Sequence, residues 1–473
     1  MEKAKNKKFK LKMPNIVALL VILTIVAAVL TWIIPAGTFE RIKEGSRTVV
    51  VPGTFQLIDQ TPQGIWDIFM AITKGFQGSA AMIFMIFFIS AAIYVLEKSG
   101  TIDACFSKLV TKVKGKEWFA ILIVMLAMTM GGATGVFGNA TLALIPIGII
   151  LSEALGYDKF LGFAMIFFGS FSGFNVGWAN VGTIGIAQEI AELPMFSGLG
   201  VRVGMHIVNF LLCYGFVMLY ANKVKKSHTS SLNYEDGMAK EQVMGVQGNT
   251  DNKVLVELNW KHIVSILLTA VAIAVIVIGS LKYKWGPDHY STVFLMLTVV
   301  LGLLHGFGVS GTADAFINGC KTMVMAAFIV GFARAITIVM SNGQILDTVV
   351  YYLSIPVSKF GAVIGANLML LSNILVNFFI SSGSGQATAV MPIMVPIADL
   401  TGITRQVAVQ TYQFGDGFTN CIIPTVGTLM GGLGFANTKY SKYLKWVMPL
   451  ITIQILLSFA AITVLQMMQW TGL

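Results

Sequence analysis

The sequence is poor in charge. Asp, Glu, Lys and Arg make up only 11% of its 473 residues, whereas 56% of the residues are hydrophobic. Soluble globular domains carry about 25% charged residues, so the composition excludes an ordinary soluble domain. Several separate apolar runs are each long enough to cross a hydrocarbon core about 30 Å thick as a helix. They predict an all-α polytopic membrane protein. The short alternating segments typical of a transmembrane β-barrel are missing.

Sequence motifs of disulfide-bonded, metal-binding and enzymatic proteins are also missing. The four cysteines stand far apart and form neither a CxxC pair nor a disulfide framework. The five histidines are isolated, without the spacing of metal ligands. No phosphate-binding GxxxxGKS or GxxxxGKT loop and no GxSxG motif occurs. We therefore expect no enzyme, no resident cofactor and no nucleic acid partner; the net charge of +10 reflects basic loops.

The chain begins with a basic segment, residues 1–14, before its first apolar run. That run is longer than the roughly 7–15 apolar residues of a signal peptide and no AxA site follows it, so we expect a retained span. The predicted spans are 15–34, 78–97, 160–186, 199–221, 262–282, 291–306, 319–340, 405–430 and 447–468.

Two longer apolar stretches, 117–156 and 358–400, are broken at their centres by glycine and polar residues. Each is either two full spans or one re-entrant hairpin, and we interpret both as hairpins. Most of the 32 Lys and Arg residues then fall in inner loops, as the positive-inside rule requires. This predicts a multi-pass protein of the bacterial cytoplasmic (inner) membrane, with a cytoplasmic N-terminus and an extracytoplasmic C-terminus. A polar segment, 222–261, is predicted to be a flexible cytoplasmic linker between a first half, 15–221, and a second half, 262–473.

The two halves share an internal repeat. Gly138-Asn139-Ala140-Thr141 recurs as Gly385-Gln386-Ala387-Thr388, and Phe168-Gly169 recurs as Phe414-Gly415. The predicted topology places the two copies in opposite orientations. Inverted repeats with interrupted helices at corresponding positions are typical of secondary transporters and mark their binding sites.

Four segments interrupt the apolar pattern with glycine and small polar residues: 131–141, 168–180, 381–388 and 413–425. Unwound backbone cannot face lipid, so such segments line a cavity or pack against protein. We expect them to meet around one solute near mid-membrane, held by half-helix termini and side-chain oxygens. The uncharged candidate ligands are Gly138, Asn139, Thr141, Asn175, Asn180, Ser382, Ser384, Gln386, Thr388, Asn420 and Thr425.

Two charged residues lie within predicted spans. A carboxylate at bilayer depth is costly and marks a functional site by default, and Asp416 is such a residue. It could bind a cationic group of the substrate, a Na⁺ ion or a proton, or form a structural ion pair with Arg334. Arg334 could in turn fix a substrate carboxylate or serve as a scaffold counter-ion.

Several motifs resemble a known family. They are Trp32-Ile33-Ile34-Pro35-Ala36-Gly37-Thr38-Phe39, the Gly-Asn-Ala-Thr sequence at 138–141, Gly331-Phe332-Ala333-Arg334-Ala335-Ile336 and Phe414-Gly415-Asp416-Gly417-Phe418-Thr419-Asn420. With them the chain resembles the YfcC family, which is grouped with DcuC-like C4-dicarboxylate carriers and ArcD-type arginine/ornithine antiporters. More distantly, the layout is similar to the ion-transporter superfamily.

The resemblance implies about nine transmembrane helices plus two hairpins, scaffold and transport domains, a homodimer and an elevator motion. It also implies Na⁺ or H⁺ coupling, with Na⁺ near Asn139, Thr141, Asp416 and Asn420. Because the only charge in the four segments is acidic, we favour a carboxylate-bearing substrate with a positive group, an amino acid of the arginine/ornithine type. The alternatives are a C4-dicarboxylate exchanger and, in another class, an ion channel.

Overall fold

The computed structural model describes residues 16–44, 47–51, 53–102, 104, 116–135, 137, 140–235, 238–244, 258–283 and 285–472. Its α-helices are α1 Ile16–Ile33, α2 Ile65–Gly78, α3 Ala80–Lys98, α4 Glu117–Ala133, α5 Ala140–Ala154, α6 Lys159–Phe174, α7 Ile186–Ile190, α8 Leu199–Lys226, α9 Lys240–Val243, α10 Trp260–Tyr283, α11 Pro287–Leu304, α12 Gly308–Thr322, α13 Val324–Asn342, α14 Leu346–Ser354, α15 Ala362–Phe379, α16 Gly383–Thr401, α17 Arg405–Thr419, α18 Gly427–Phe435 and α19 Tyr440–Met467.

Apolar helices dominate this part of the chain. Within the described ranges, five are long and apolar enough to cross a membrane, and six if the bent pair α12–α13 forms one span. The protein is therefore a mostly helical, multi-pass membrane protein, as predicted. The number of nine spans stays a prediction, because α1, α4, α5 and α6 are apolar but shorter.

The predicted outer loop between the first two spans contains regular structure. Two small antiparallel pairs form there, β1 Gly37–Thr38 with β4 Gln56–Leu57 and β2 Arg41–Glu44 with β3 Arg47–Val50. The loop is fixed to the second half of the chain, because Arg41 forms an ion pair with Asp347 at 2.7 Å. The segment between the predicted spans 15–34 and 78–97 ends in α2, a 14-residue helix.

Both predicted hairpins are pairs of helices around a central break. α4 and α5 both pack against the following helix, α6, and α15 and α16 both pack against α17. Outside these units, α1 and α2 pack against α13, while α11 and α12 pack against α3. The two halves therefore use corresponding helices for corresponding contacts.

The two spans predicted to contain broken segments, 160–186 and 405–430, are interrupted. In place of 160–186, α6 ends at Phe174 and the chain resumes as a π-helical turn, Val181–Gly185. In place of 405–430, α17 ends at Thr419 and α18 begins at Gly427. Gly177 has φ +59°, a backbone conformation that a side chain disfavours, which explains why the first helix stops here. We call residues 175–180 the first break and residues 420–426 the second break.

Part of the polar linker is docked on the helices. The buried carboxylate of Asp158, which caps α6, accepts hydrogen bonds from the Ser231 and Tyr220 hydroxyls, both at 2.5 Å. Asn233 donates to the carbonyl of Ala436 at 2.9 Å. The segment around residues 231–235 is thus held by specific contacts, while the linker between the two halves stays a prediction; residues 236–237 and 245–257 lie outside the described part.

Candidate substrate site

The first break packs closely against the last turns of α17. A Cβ atom built on Gly417 would lie 2.5 Å from the Cα of Asn175, so only glycine fits at this position. The Gln413 amide donates to the carbonyl of Phe174 at 2.6 Å, which satisfies one of the orphan carbonyls at the end of α6. The first break and the helix that leads into the second break therefore lie side by side, whereas the meeting of all four segments around one solute stays a prediction.

The second hairpin tip lies against Asp416. A Cβ on Gly383 would be 3.1 Å from Asp416 Oδ2 and 2.7 Å from the Thr183 methyl carbon. The Tyr412 hydroxyl donates to the carbonyl of Gly383 at 2.7 Å, which fixes the tip on α17. Gly383 is the first residue of α16, so the carboxylate of Asp416 lies beside a helix N-terminus, where a negative charge is favoured.

Asp416 is fully buried and only half satisfied. Its Oδ1 accepts from the Asn420 amide at 3.1 Å, whereas Oδ2 has no hydrogen-bond partner among the described residues. The Asn377 amide positions this turn, because it donates to the Asp416 carbonyl at 3.0 Å, to Thr419 Oγ1 at 2.7 Å and to Asn420 Oδ1 at 3.0 Å. Asn377 was not predicted. The sequence feature that could have identified it is an asparagine within the apolar first helix of the second hairpin, α15.

The first hairpin tip contacts the first break. Ala179 N–H donates to the carbonyl of Ala133 at 3.2 Å, and a Cβ on Gly135 would lie 2.4 Å from Asn180 Oδ1. Asn180 caps the π-helical turn by accepting from the Gly182 N–H at 2.9 Å. The buried Thr141 hydroxyl is 2.8 Å from Ser170 Oγ. Gly138 and Asn139, both predicted ligands, lie outside the described residues.

The remaining candidates of the second tip have different environments. Ser382 caps α16 by accepting from the Gly385 N–H at 3.4 Å, and both Ser382 and Ser384 are exposed. Buried Gln386 donates to Asn373 on the opposite arm at 3.0 Å. Thr388 donates only to main-chain carbonyls of its own helix. The exposed serines and the free N–H groups of the first turn form the donor side of the tip.

Unsatisfied oxygens concentrate around the breaks. In the described ranges, buried side-chain oxygens without a hydrogen-bond partner occur here at Asn175, Thr183, Asn377, Gln386, Gln413, Asp416 and Thr425. Asn175 offers its amide only to the distant Sγ of Cys421, at 3.9 Å. Burying polar atoms without partners is costly, and this set of one carboxylate oxygen, four amide oxygens and two hydroxyls, which can also donate, suits a hydrogen-bond donor or a cation. Hard oxygen ligands of this kind also suit Na⁺.

Comparison with known proteins shows the family of the chain. Residues 13–467 match the family model of DcuC, the C4-dicarboxylate anaerobic carriers. The chain belongs to the DcuC family. It is a transporter and not an enzyme.

Among curated relatives of this DcuC-family chain, one from Escherichia coli K12 is named "Putative basic amino acid antiporter YfcC". It is 29% identical over 496 residues, covering 96% of this chain and 97% of the relative. A protein of Haemophilus influenzae without an assigned function is 24% identical, covering 95% of this chain and 96% of that protein. The resemblance to YfcC stated from the motifs is thereby confirmed.

Two solved transporters have similar structures. YdaH of Alcanivorax borkumensis has a TM-score of 0.41 at 17% identity, covering 97% of this chain and 100% of that chain. MtrF of Neisseria gonorrhoeae has a TM-score of 0.39 at 18% identity, covering 96% of this chain and 95% of that chain. Both scores are low, so neither structure defines the site of the DcuC-family chain.

The two membrane arginines of this DcuC-family chain lie apart from Asp416 in their contacts. Arg334 is exposed on α13, and its Nε would be 2.7 Å from a Cβ built on Gly78. Within the described ranges it forms no ion pair with Asp416. Arg202, which the sequence did not single out, is fully buried on α8 and donates to Gln406 and Gln410 at 2.8 Å each. The sequence feature that could have identified this contact is the pair of glutamines, Gln406 and Gln410, which lie one helical turn apart on α17.

Proposed function

We propose that this transporter is an antiporter that exchanges small carboxylate-bearing metabolites with a cationic group, of the arginine/ornithine type. The observation that carries the proposal is the buried Asp416 carboxylate, whose Oδ2 lacks a partner in the described structure while it faces the second hairpin tip. An ammonium or guanidinium group would supply the missing donor and the compensating charge.

The second tip is suited to the other end of such a molecule. The first turn of α16 has unpaired main-chain N–H groups and a partial positive charge, which favour a carboxylate. Exposed Ser382 and Ser384 add hydroxyl donors. Donors on the tip and acceptors around Asp416 therefore match a zwitterionic amino acid, and the printed name of the E. coli relative agrees with this substrate class.

A C4-dicarboxylate is the second candidate, favoured by the family description. One carboxylate could use the tip, and exposed Arg334 on α13 could reach the other. The second carboxylate would have to avoid Asp416, because two like charges in one buried site disfavour each other. A dicarboxylate would therefore bind only with Asp416 protonated or neutralised by a coupling ion such as Na⁺.

The transport cycle we propose uses the two halves as inverted repeats. Helices α4–α7 and α15–α18 would form the moving unit, and α1–α3 with α11–α13 the scaffold of a homodimer in the inner membrane. The matched packing of α1 and α2 on α13 and of α11 and α12 on α3 supports this division. A channel is disfavoured because the polar groups concentrate at the breaks and tips rather than along a continuous pore.

Counterflow in proteoliposomes tests the substrate. Vesicles loaded with unlabelled arginine should accumulate labelled arginine, and excess ornithine should compete whereas succinate should not. Removing one partner of a buried charge pair costs about 2–5 kcal/mol, so Asp416→Asn should weaken the apparent affinity by about 30-fold or more. Asp288→Asn, an exposed position at the start of α11, is the matched control and should exchange normally.

Succinate-driven counterflow without arginine counterflow would replace this proposal by the dicarboxylate exchanger. Unchanged arginine affinity in Asp416→Asn would remove Asp416 from the substrate site. Single-channel conductance of the purified protein in a planar bilayer would overturn the carrier mechanism altogether.

A further inference from the structure

His206 on α8 connects the first break to the first hairpin through a chain of buried hydrogen bonds. The Trp178 indole N–H donates to His206 Nδ1 at 2.8 Å, and His206 Nε2 lies 2.7 Å from the Thr129 hydroxyl. Thr129 Oγ1 is 2.6 Å from Ser172 Oγ, whose hydroxyl donates to the Gly169 carbonyl at 2.6 Å. Three separate elements, α4, α6 and the first break, are thus joined at one imidazole.

The partners define the protonation state of the ring. An indole nitrogen can only donate, so His206 Nδ1 must be the acceptor and carry no proton. Nε2 then carries the single proton and donates to the Thr129 hydroxyl. The Thr129 hydroxyl in turn donates to Ser172 Oγ. In the neutral imidazole, both ring nitrogens therefore have a hydrogen-bond partner. A second proton, on Nδ1, would place an N–H group against the N–H of Trp178.

The surroundings of His206 contain little that would stabilise a cation. The helices α4, α6 and α19 packed against α8 carry no Asp, Glu, Lys, Arg or His at 118–133, 160–174 and 446–467; their charged residues, Glu117, Lys159, Lys442 and Lys445, lie in or near the first turns of these helices. His228 lies in the turn after the far end of α8. α17 also contacts α8, through the bonds from Arg202 to Gln406 and Gln410, and carries Arg405 and Asp416; Arg405 pairs with Asp399 and Glu192, and Asp416 lies against the second tip. On α8 itself the nearest charged side chain in sequence is the buried Arg202, one turn earlier, which carries the same sign as a protonated imidazole. A proton on His206 is therefore tolerated only if Trp178 moves and the ring gains another partner or water.

We propose that His206 is a proton-responsive positioning residue that holds the first break while neutral and releases Trp178 when protonated. Trp178 lies between Asn175, which contacts the second break, and Asn180, which contacts the first tip. Release of the indole would loosen the segment that joins these contacts. For transport, the inference rests on the proposed function: proton binding at His206 would be linked to rearrangement of the substrate site.

Tryptophan emission of the purified full-length protein tests the switch without any substrate. The chain has eight tryptophans, so the difference between wild type and Trp178→Phe isolates the emission of Trp178. We expect this difference signal to change in one titration step between about pH 8 and pH 4.5, because an unperturbed histidine titrates near pH 6.5 and a protonated imidazole beside an indole alters its emission.

Two histidine variants identify the titrating group. His206→Gln offers one acceptor and one donor, which can keep both hydrogen bonds, but it does not titrate; the pH step of Trp178 should disappear. His289→Gln is the control, because His289 is exposed and stacks on another tryptophan, Trp285, at 5.2 Å; the step should remain. A flat difference signal in wild type, or an unchanged step in His206→Gln, would overturn the proposal.

Exchange assays on the same variants distinguish the proposed function from the proposed role of His206. Exchange by His206→Gln should persist with a pH profile flatter than that of wild type, whereas His289→Gln should keep the wild-type profile. A wild-type profile in His206→Gln would refute the link between His206 and transport. If no amino acid or dicarboxylate is exchanged by wild type while the Trp178 step is present and depends on His206, the proposed function fails and the switch stands.

Discussion

At the scale of single residues, the site depends on glycines that let charged and polar groups approach. Gly383 brings the second tip close to Asp416 Oδ2, and Gly417 lets the second half contact Asn175. Each is a place where a methyl group has no room. Close packing around such positions means that even a small side chain must displace its neighbours.

Replacing Gly383 by alanine should therefore weaken substrate binding. The new Cβ would lie 3.1 Å from Asp416 Oδ2 and 2.7 Å from the Thr183 methyl carbon, and overpacking of this kind typically costs about 1–3 kcal/mol. We expect the apparent affinity in counterflow to fall by roughly 5–100-fold. Gly361→Ala is the control, since no atom lies within 4 Å of its added Cβ. Equal losses in both variants would show that the effect is not local.

Sequence reasoning reached part of this site. Asp416, Asn420, Asn175 and Thr425 were predictable, because polar groups in an apolar span are costly and few. The positioning role of Asn377 was not, because it depends on a contact 42 positions away in a segment whose register no local pattern defines. The Asn377 amide donates to the hydroxyl of Thr419, and these two residues are 42 positions apart in the sequence.

At the scale of elements, the breaks were predicted and the short helices were not. Glycine clusters indicate unwound backbone, and helix ends are found at both predicted breaks. α2 and α12 were missed because charged residues interrupt their apolar runs, Asp67 and Lys74 in the first and Asp314 and Lys321 in the second. A search for span-length apolar runs passes over helices of 14 and 15 residues.

The docked linker gives a prediction at the same scale. Burial raises the pKa of the Asp158 carboxyl, although Ser231, Tyr220 and the Leu161 N–H all donate to it. A carboxyl whose pKa is raised by folding stabilises the fold when protonated; that contribution is fully present below the unfolded value, about 3.9, and is lost as the pH rises through the folded pKa.

Asp158→Asn cannot titrate, so the melting temperature of wild type relative to this variant should rise as the pH falls. Thermal unfolding in detergent across pH 4–9 measures the difference. Asp288→Asn serves again as the exposed control, with a profile parallel to wild type. Parallel profiles for Asp158→Asn would contradict the assigned shift.

At the scale of the whole molecule, the proposed division into a scaffold and a moving unit makes relative displacement testable. Gly427 opens α18 in the moving unit, and a Cβ there would lie 2.3 Å from Met82 Sδ on α3 in the scaffold. In a background without the four native cysteines, the pair Met82→Cys and Gly427→Cys should cross-link and arrest counterflow. Reduction of the cross-link should restore it.

The matched control is a cross-link inside the scaffold. A Cβ on Gly343 would lie 2.3 Å from Thr31 Cγ2, so the pair Thr31→Cys and Gly343→Cys joins α13 to α1. This link should leave counterflow intact. Full activity of the cross-linked Met82–Gly427 pair would exclude a sliding movement between these two helices.

The contact between Gly417 and Asn175 also bears on stoichiometry. Since α17 of the second half lies against the first break of the first half, we expect both halves to line one shared substrate compartment. Each polypeptide would then carry one substrate molecule per transport cycle. Cooperativity between bound substrate molecules would have to arise between neighbouring polypeptides.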